Sequence, residues 1–255
     1  MPQEENPVAV PDWPDPPPEF ALADDEVHVW CASLDKPASQ LGQFSSTLCP
    51  DERQRADRFR FDRHRQWFIV RRGLLRMLLG RYLTVEPNQF VFDYDARGKP
   101  SISEPLDGRT LHFNISDSSG LALYAVTRRA PLGVDVEHIK PVRDMDGIAA
   151  RFFSARERAA IGALTEPRKP EVFFNCWTRK EAYLKSTGEG ISESLPHVEV
   201  TLMPGDAPRL LSLAGDGRVA SEWTFYSFEP AAGFVGALAI KATGLRLSCW
   251  RWPES

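Results

Sequence analysis

The stretch Leu132-Gly133-Val134-Asp135-Val136-Glu137 is the centre of the chain, because it places two carboxylates in a short apolar run. Its β-branched valines are typical of a strand. Side chains alternate between the two faces of a strand, so Asp135 and Glu137 point the same way. Two carboxylates on one half-buried face suit a divalent cation. A solvated strand face that happens to carry two acids is the ordinary alternative, and the rest of the chain has to decide.

The composition indicates an ordinary globular protein with one large domain or two small ones. The chain has 255 residues, of which 42% are hydrophobic and 26% charged. A net charge of −4 argues against a molecule built as a whole to bind nucleic acid or an anionic membrane. The four cysteines are far apart and form no zinc motif, which predicts reduced thiols in a cytoplasmic protein. No apolar run is long enough to cross a membrane.

Residues 1–23 are predicted to form a flexible tail. The segment combines seven prolines with several acids, so it can form neither a helix nor a central strand. It lacks a basic region followed by an apolar one, and a signal peptide is therefore not expected. A proline-rich ligand for a partner protein is the alternative to a plain extended tail.

The densest charge lies between Arg53 and Arg81, where ten arginines stand against only two aspartates. Apolar residues at helical spacing, such as Phe68, Leu75 and Leu79, run through the same stretch. The pattern predicts a helix that buries one face and displays arginines around it. These arginines could bind a phosphate ligand, pair with acids elsewhere on a solvated face, or bind nucleic acid. The acidic net charge disfavours nucleic acid.

The other apolar patterns predict a mixture of strands and helices. Strands are expected at 27–32, 90–92, 111–116, 121–127, 132–137, 198–202, 210–213, 223–228 and 234–240. Helices are expected at 145–153, 155–164 and 171–185. The polar segments 95–100 and 117–120 are expected to be turns, and small polar residues in such a turn can offer N–H and hydroxyl groups to a phosphate.

Three charged residues on the predicted helices have ordinary structural explanations. Ser154 and Glu157 form a capping box, Ser-x-x-Glu, at the start of a helix. Glu181 and Lys185 lie one helical turn apart, as in a surface ion pair worth a few tenths of a kcal/mol.

Two motifs resemble those of the 4′-phosphopantetheinyl transferases of the surfactin-synthetase-activating (Sfp) type. Gly133-Val134-Asp135-Val136-Glu137 is similar to the family's Gly-Ile/Val-Asp-aliphatic-Glu, and Trp177-Thr178-Arg179-Lys180-Glu181-Ala182-Tyr183-Leu184-Lys185 is similar to its Trp-Ser/Thr/Ala-x-Lys-Glu-Ala/Ser-x-x-Lys. Their separation of about forty residues also fits, and Arg151-Phe152-Phe153-Ser154-x-x-Glu157 lies between them. Gly98-Lys99-Pro100, Phe113-Asn114-Ile115-Ser116 and the arginine-rich residues 53–72 extend the resemblance, which runs from about residue 24 to the C-terminus.

The resemblance implies an α+β fold of two similar halves, residues 24–131 and 132–255, which pack as a pseudo-dimer around a central cleft. Arg58-Phe59-Arg60-Phe61 and Arg151-Phe152-Phe153-Ser154 each precede helices, which also hints at two related halves. The resemblance further implies a monomeric enzyme. This enzyme would transfer the 4′-phosphopantetheine group of coenzyme A to a serine of an apo carrier protein and release adenosine 3′,5′-bisphosphate. The carrier is expected to dock beside the cleft through an acidic helix.

The resemblance also implies roles for individual residues. Asp135, Glu137 and Glu181 would hold Mg²⁺ (or Mn²⁺), and Lys185 would reach the diphosphate of coenzyme A. The base that accepts the serine proton would be Glu157, Glu181 or a metal-bound water. The remaining coenzyme A contacts are expected from Arg53, Arg55, Arg72, Lys99, Pro100 and Ser116.

One position departs from the family pattern. The family commonly has Phe-Asn-Ile/Leu-Ser-His, where the histidine touches the diphosphate, and this chain has Asp117 at that position. An aspartate repels phosphate unless it faces a cation or the metal. A neighbouring arginine could take over the neutralising role, whereas His112 is at the wrong position.

Three other functions compete with this interpretation. The first is another Mg²⁺-dependent transferase acting on a nucleotide diphosphate, although the chain lacks the common glycine-rich nucleotide motifs. The second is a non-catalytic protein that binds coenzyme A or another polyanion on the same scaffold, for which Asp117 is the sequence argument. The third is nucleic-acid binding by the arginine-rich helix.

Overall fold

All seven residues of the strand Leu121–Thr127 are buried, because this strand lies in the interior of a four-stranded sheet. The computed structural model describes residues 13–96, 98–102, 110–190 and 195–253. The helices are α1 Leu41–Thr47, α2 Pro50–Ala56, α3 Asp62–Leu83, α4 Met145–Phe152, α5 Ala155–Gly162 and α6 Lys169–Thr187. The strands are β1 Glu26–Ser33, β2 Phe92–Tyr94, β3 Pro100–Ile102, β4 His112–Ser118, β5 Leu121–Thr127, β6 Leu132–His138, β7 Val198–Val200, β8 Leu210–Leu213, β9 Thr224–Phe228, β10 Phe234–Ile240 and β11 Arg246–Arg251.

Strands β1, β4 and β5 of the first half form a four-stranded sheet with the C-terminal strand β11, in the order β11-β1-β5-β4. The long helix α3 covers this sheet, and its buried residues include Phe68, Leu75, Leu78 and Leu79. The helical spacing of these residues is therefore confirmed, but the predicted display of arginines around the buried face is wrong for Arg72 and Arg76, which are themselves buried.

The second half builds a three-stranded sheet in the order β6-β10-β9, and α6 packs directly against it. The contact is closest at Gly133, where a Cβ atom would lie 2.0 Å from the carbonyl oxygen of Ala182 and 2.8 Å from the Cβ of Lys185. Only glycine permits this approach, so the glycine of the opening motif brings the C-terminal end of α6 onto β6.

The two sheets meet where β4 lies beside β6. The amide oxygen of Asn114 accepts a hydrogen bond of 2.9 Å from the backbone N–H of Val134. A third apolar cluster joins residues of both halves, including Val29, Leu123 and Leu238. This arrangement confirms an α+β fold with two halves, whereas the division between residues 131 and 132 stays a proposal, because β11 belongs by sequence to the second half and by pairing to the first.

Several elements differ from the sequence-based expectation. Residues 117–120 are not all turn, because Asp117 and Ser118 continue β4 and only Ser119 and Gly120, with positive φ of 48° and 84°, reverse the chain. The strand expected at 90–92 instead covers Phe92–Tyr94. The edge strand β11 was not anticipated.

The tail expected over residues 1–23 falls partly outside the described residues, which begin at Trp13. The ring of Trp13 packs edge-on against Phe228, and Phe20 joins an aromatic cluster with Trp30 and Trp250. This packing of the second half of the segment differs from the mobile tail that its composition predicts.

Within the described residues, no helix combines the length and apolar character that a membrane crossing requires. All four cysteines are free thiols, as predicted.

Candidate active site

The two carboxylates of β6 face β4, as the strand period predicts. Asp135 accepts a hydrogen bond of 2.8 Å from the Ser116 hydroxyl, and Glu137 accepts one of 2.8 Å from the Ser118 hydroxyl. Asp135 is only 5% exposed. Its Oδ2 atom is buried and has no hydrogen-bond partner among the described residues.

Helix α6 delivers a lysine to the same carboxylate. The ammonium group of Lys185 donates to Asp135 Oδ1 at 2.7 Å, to the Ser116 hydroxyl at 2.9 Å and to the carbonyl of Val134 at 3.2 Å. An isolated surface ion pair with Glu181 is therefore the wrong explanation for Lys185. Lys185 instead joins the two halves, because Ser116 belongs to β4 and Asp135 to β6.

Glu181 lies on the same face of α6 and completes a group of three acids. Its Oε1 atom is buried without a hydrogen-bond partner among the described residues. Burial, reinforced by the negative charge of Asp135, raises the pKa of Glu181 to about 7. Burial also raises the pKa of Glu137, and Asp135 adds to that shift. The surroundings of Glu137 and Glu181 thus disfavour the charged form of both carboxylates, whereas Asp135 is paired with Lys185.

The donor set fits a hard divalent cation, although no ready-made cage is present. Within the described ranges, no three acidic, histidine or cysteine side chains converge closely enough to form a metal site as they stand. One reason is that Lys185 occupies Oδ1 of Asp135. The fit rests on chemistry instead: carboxylate oxygens are the preferred ligands of Mg²⁺, and two of those in this group are buried without a partner.

A cleft of about 300 Å³ opens beside these acids and is strongly cationic. Its lining contains five cations and two acids, namely Arg55, Arg71, Arg72, Lys99, Lys185, Asp95 and Glu181. Larger open cavities elsewhere in the described part of the chain contain fewer cations: two of them have one arginine each, and the third has Arg55 and Arg58. The cleft is therefore the place where the structure can receive a polyanion.

Comparison with known proteins agrees with this geometry. A model described as the 4′-phosphopantetheinyl transferase superfamily matches residues 131–241, and one described as the N-terminal part of 4′-phosphopantetheinyl transferase matches residues 35–128. The 4′-phosphopantetheinyl transferase HetI of Nostoc is 40% identical over 240 residues, which cover 94% of this chain and 98% of that protein. The chain belongs to the 4′-phosphopantetheinyl transferase superfamily.

Two further relatives are less similar to this chain. The transferase psf-1 of Bacillus pumilus is 35% identical over 75% of this chain and 79% of its own. The transferase Sfp of Bacillus subtilis is 31% identical over 66% of this chain and 74% of its own.

The structure brings most of the site residues predicted for a transferase together. Arg55, Arg72, Lys99 and Pro100 line the cleft beside Glu181 and Lys185, and Ser116 lies on Asp135. The ammonium of Lys99 contacts the backbone carbonyl of Lys185, which fixes it at the junction of the halves. Burial, followed by the charge of Lys185, lowers the pKa of Lys99.

Two predicted residues lie elsewhere. Arg53 is exposed on α2 and is not part of the cleft lining. Glu157 is 1% exposed and fully engaged: Oε2 accepts from the Ser154 N–H at 2.8 Å and pairs with Lys180 at 2.7 Å, while Oε1 accepts from the Val200 N–H at 2.9 Å. The capping-box explanation of Glu157 is confirmed, and its expected role as base finds no geometric support.

Sequence reasoning missed two partners of the arginine-rich helix. Glu52 is buried between Arg72, at 3.2 Å, and Arg76, at 2.6 Å. Asp117 forms an ion pair with Arg71. The excess of arginine in this stretch indicates an anion site. The acids that pair with individual arginines are distant in sequence, so no local pattern predicts these ion pairs.

Proposed function

We propose that this protein is an Sfp-type transferase that moves the 4′-phosphopantetheine group of coenzyme A to a serine of an apo carrier protein and releases adenosine 3′,5′-bisphosphate. One observation carries the proposal: a cationic cleft at the junction of the halves is lined by Glu181 and by Lys185, and the ammonium of Lys185 pairs with Asp135. Such a site suits a substrate with several phosphates and a reaction in which phosphate leaves.

The cleft cations would bind the phosphates of coenzyme A. Arg55 and Lys99, at its mouth, are suited to the 3′-phosphate, and Pro100 continues the Gly-Lys-Pro turn beside them. Lys185 is suited to the diphosphate, because it stands next to the carboxylates. Arg72 is 5% exposed and paired with Glu52. We therefore expect it to contribute positive charge to the cleft lining without contacting the phosphates directly.

Asp135, Glu137 and Glu181 would hold Mg²⁺ (or Mn²⁺). The bound cation would neutralise the negative charge that grows on the 5′-phosphate of the leaving adenosine 3′,5′-bisphosphate as the diphosphate is cleaved. Lys185 also donates to the Ser116 hydroxyl and the Val134 carbonyl, so two contacts besides Asp135 hold its ammonium beside the cleft.

In the transfer step, the carrier serine oxygen forms a bond to the β-phosphorus while the bond from that phosphorus to the oxygen of the leaving adenosine 3′,5′-bisphosphate breaks. The serine proton needs an acceptor near the cleft. Of the two carboxylates proposed for this role, Glu181 lines the cleft and Glu157 is enclosed by its own partners. We therefore assign the role to Glu181 in preference to Glu157, with a metal-bound water as the other candidate.

The proposed surroundings follow from the same site. The carrier would dock beside the cleft through an acidic helix, drawn by exposed arginines such as Arg58 and Arg60. A single chain carries both halves of the cleft, which favours a monomer. Four free thiols favour the cytoplasm.

A test of the function uses the intact mass of a carrier. The protein is incubated with coenzyme A, Mg²⁺ and each of several apo carrier domains. Wild type should add one phosphopantetheine group to at least one carrier, and Asp135→Ala, checked for folding by circular dichroism, should not. Binding of coenzyme A without any adduct on any carrier would favour a non-catalytic binding protein and contradict the proposal.

A further inference from the structure

Asp117 stands where the family pattern has a histidine, and its surroundings explain the exchange. Ser116 and Ser118 point toward the carboxylates of β6. Because side chains alternate along a strand, Asp117 points to the opposite side of β4, toward helix α3. There it meets the guanidinium of Arg71.

Arg71 is held in place from two directions. Its Nη1 atom contacts Asp117 Oδ1. Its backbone carbonyl accepts a hydrogen bond of 3.0 Å from the hydroxyl of Tyr124, a buried residue in the centre of the first sheet. These two contacts fix both the turn of α3 that carries Arg71 and the direction of its side chain.

The guanidinium also reaches the cleft. Arg71 is part of the cleft lining, and its side chain is 26% exposed, compared with 6% for Arg72. The buried Arg72 is tied to Glu52, whereas Arg71 is partly open to the cleft. A planar guanidinium can bind one anion along each of two edges, so a contact with Asp117 is compatible with a second contact to phosphate.

We propose that Arg71 binds the diphosphate of coenzyme A and that Asp117 is its positioning residue, so that the Arg71–Asp117 pair does what a single histidine does in the common family pattern. The inference rests on the proposed function, since it names the group that neutralises the substrate of the same site. Asp117 does not touch the substrate; it holds the arginine that does.

The test measures binding of two ligands, coenzyme A and 3′-dephospho-coenzyme A, by calorimetry in the presence of Mg²⁺. Both ligands contain the diphosphate, and only the first contains the 3′-phosphate. Arg71→Gln should weaken both by the same factor, about 10- to 100-fold, because one charge-assisted contact is lost. If Arg71 served the 3′-phosphate, the variant would weaken coenzyme A alone, which would overturn the inference.

The role of Asp117 is tested by the effect of Asp117→Asn on ligand affinity, which should have opposite signs with and without Arg71. In the presence of Arg71, Asp117→Asn should weaken binding of both ligands, because the arginine loses its anchor. In the Arg71→Gln background the same exchange should strengthen binding, because an unbalanced negative charge beside the phosphate is removed. Asp117→His in that background should strengthen it further, since it restores the common family residue. An effect of Asp117→Asn that keeps one sign in both backgrounds would contradict the positioning role.

The matched control is Arg81→Gln, which removes an exposed arginine about 15 Å further along the same helix, outside the cleft. It should bind both ligands as wild type does. If Arg71→Gln does not fold, Arg71→Lys decides, because it keeps the charge but cannot hold Asp117 and a phosphate together, and it should weaken both ligands equally. Wild-type protein that binds neither ligand would overturn the proposed function itself, whereas an Arg71→Gln variant that binds like wild type would overturn only this inference.

Discussion

Glu157 shows how one residue can support two explanations until its surroundings are known. Its sequence position fits both a helix-capping box and the base of the reaction. In the fold, its charge is balanced by Lys180, whose ammonium also donates to the backbone carbonyl of Leu195 at 2.9 Å. Both side chains of the pair are inaccessible. The pair therefore ties α5 to α6, and both carboxylate oxygens of Glu157 are engaged in contacts within the fold.

The Glu157→Gln variant is expected to lose stability and keep its chemistry. Removing the carboxylate charge leaves Lys180 buried and unpaired, which should cost about 3 kcal/mol or more of the free energy of unfolding. The rate of transfer per folded molecule should stay within a few-fold of wild type. Urea unfolding and the carrier-mass assay measure the two quantities.

Lys180→Met supplies the control for this pair. The double variant with Glu157→Gln should be more stable than the sum of the two single changes predicts, because no unpaired charge remains. A Glu157→Gln protein with normal stability and no transfer would show that Glu157 is a catalytic base after all.

At the scale of elements, the approach of α6 to β6 sets the geometry of the site. Gly133 allows this approach, and the three contacts of Lys185 depend on it. Gly133→Ala places a methyl group where backbone atoms already stand, so β6 and α6 must separate. We expect a loss of about 3 kcal/mol in unfolding free energy and a weaker hold of Lys185 on Asp135.

Gly162→Ala is the matched control, because an added Cβ at this position meets no atom within 4 Å. It should change the unfolding free energy by less than about 1 kcal/mol. Equal stability of Gly133→Ala and wild type would mean that the two elements are free to move apart, against the tight packing described.

The packing of β1 against α3 makes stability depend on pH through His28. The hydroxyl of Tyr82 accepts from the Trp30 indole at 2.9 Å and lies 2.7 Å from His28 Nδ1, so its own proton points to a neutral imidazole. Burial lowers the pKa of His28 to about 4, against the opposing effect of Glu26. Below a pH of about 6.5, His28 is protonated in the unfolded chain and still neutral in the folded protein. The free energy of unfolding therefore decreases as the pH is lowered from about 6.5 to about 4.

The expected size of this effect is about 2 kcal/mol between about pH 7.5 and about pH 5. It appears as a difference between wild type and His28→Asn, because other groups titrate equally in both proteins. Urea unfolding at a series of pH values measures it. Parallel pH profiles for the two proteins would show that folding does not shift the pKa of His28, which would contradict this prediction.

At the scale of the whole molecule, β11 ties the two halves together. This last strand pairs in parallel with β1, with Cys249 opposite Val29, so residues that follow the second sheet complete the first. The N–H of Trp252 then donates to the carbonyl of Cys31 at 2.8 Å. Neither half can unfold without breaking contacts of the other.

We therefore expect a single thermal transition. In calorimetry, the calorimetric and van't Hoff enthalpies should agree, because the two halves unfold as one cooperative unit. Two separated transitions would indicate halves that are stable on their own.

The sequence predicted the local parts of this structure better than the pairings between them. The period of β6 placed Asp135 and Glu137 on one face, and the spacing of Glu181 and Lys185 placed both on one face of α6. Those predictions need only neighbouring residues. The pairs Arg71–Asp117 and Arg72–Glu52 join positions far apart in the chain, and only the packed fold shows them. Strand β11 was missed because its sequence, RLSCWR, carries charges at both ends and pairs at an edge.

We propose that one metal-dependent site, assembled from acids on β6 and α6, performs the transfer. Its most direct test is the intact mass of an apo carrier after incubation with coenzyme A and chelator-treated protein, followed by a titration with Mg²⁺. No adduct is expected in the presence of the chelator, and the amount of adduct should increase as Mg²⁺ is added back. The Glu181→Gln variant should form no adduct at any Mg²⁺ concentration. Full transfer in the chelator, or by Glu181→Gln at the wild-type rate, would contradict this proposal.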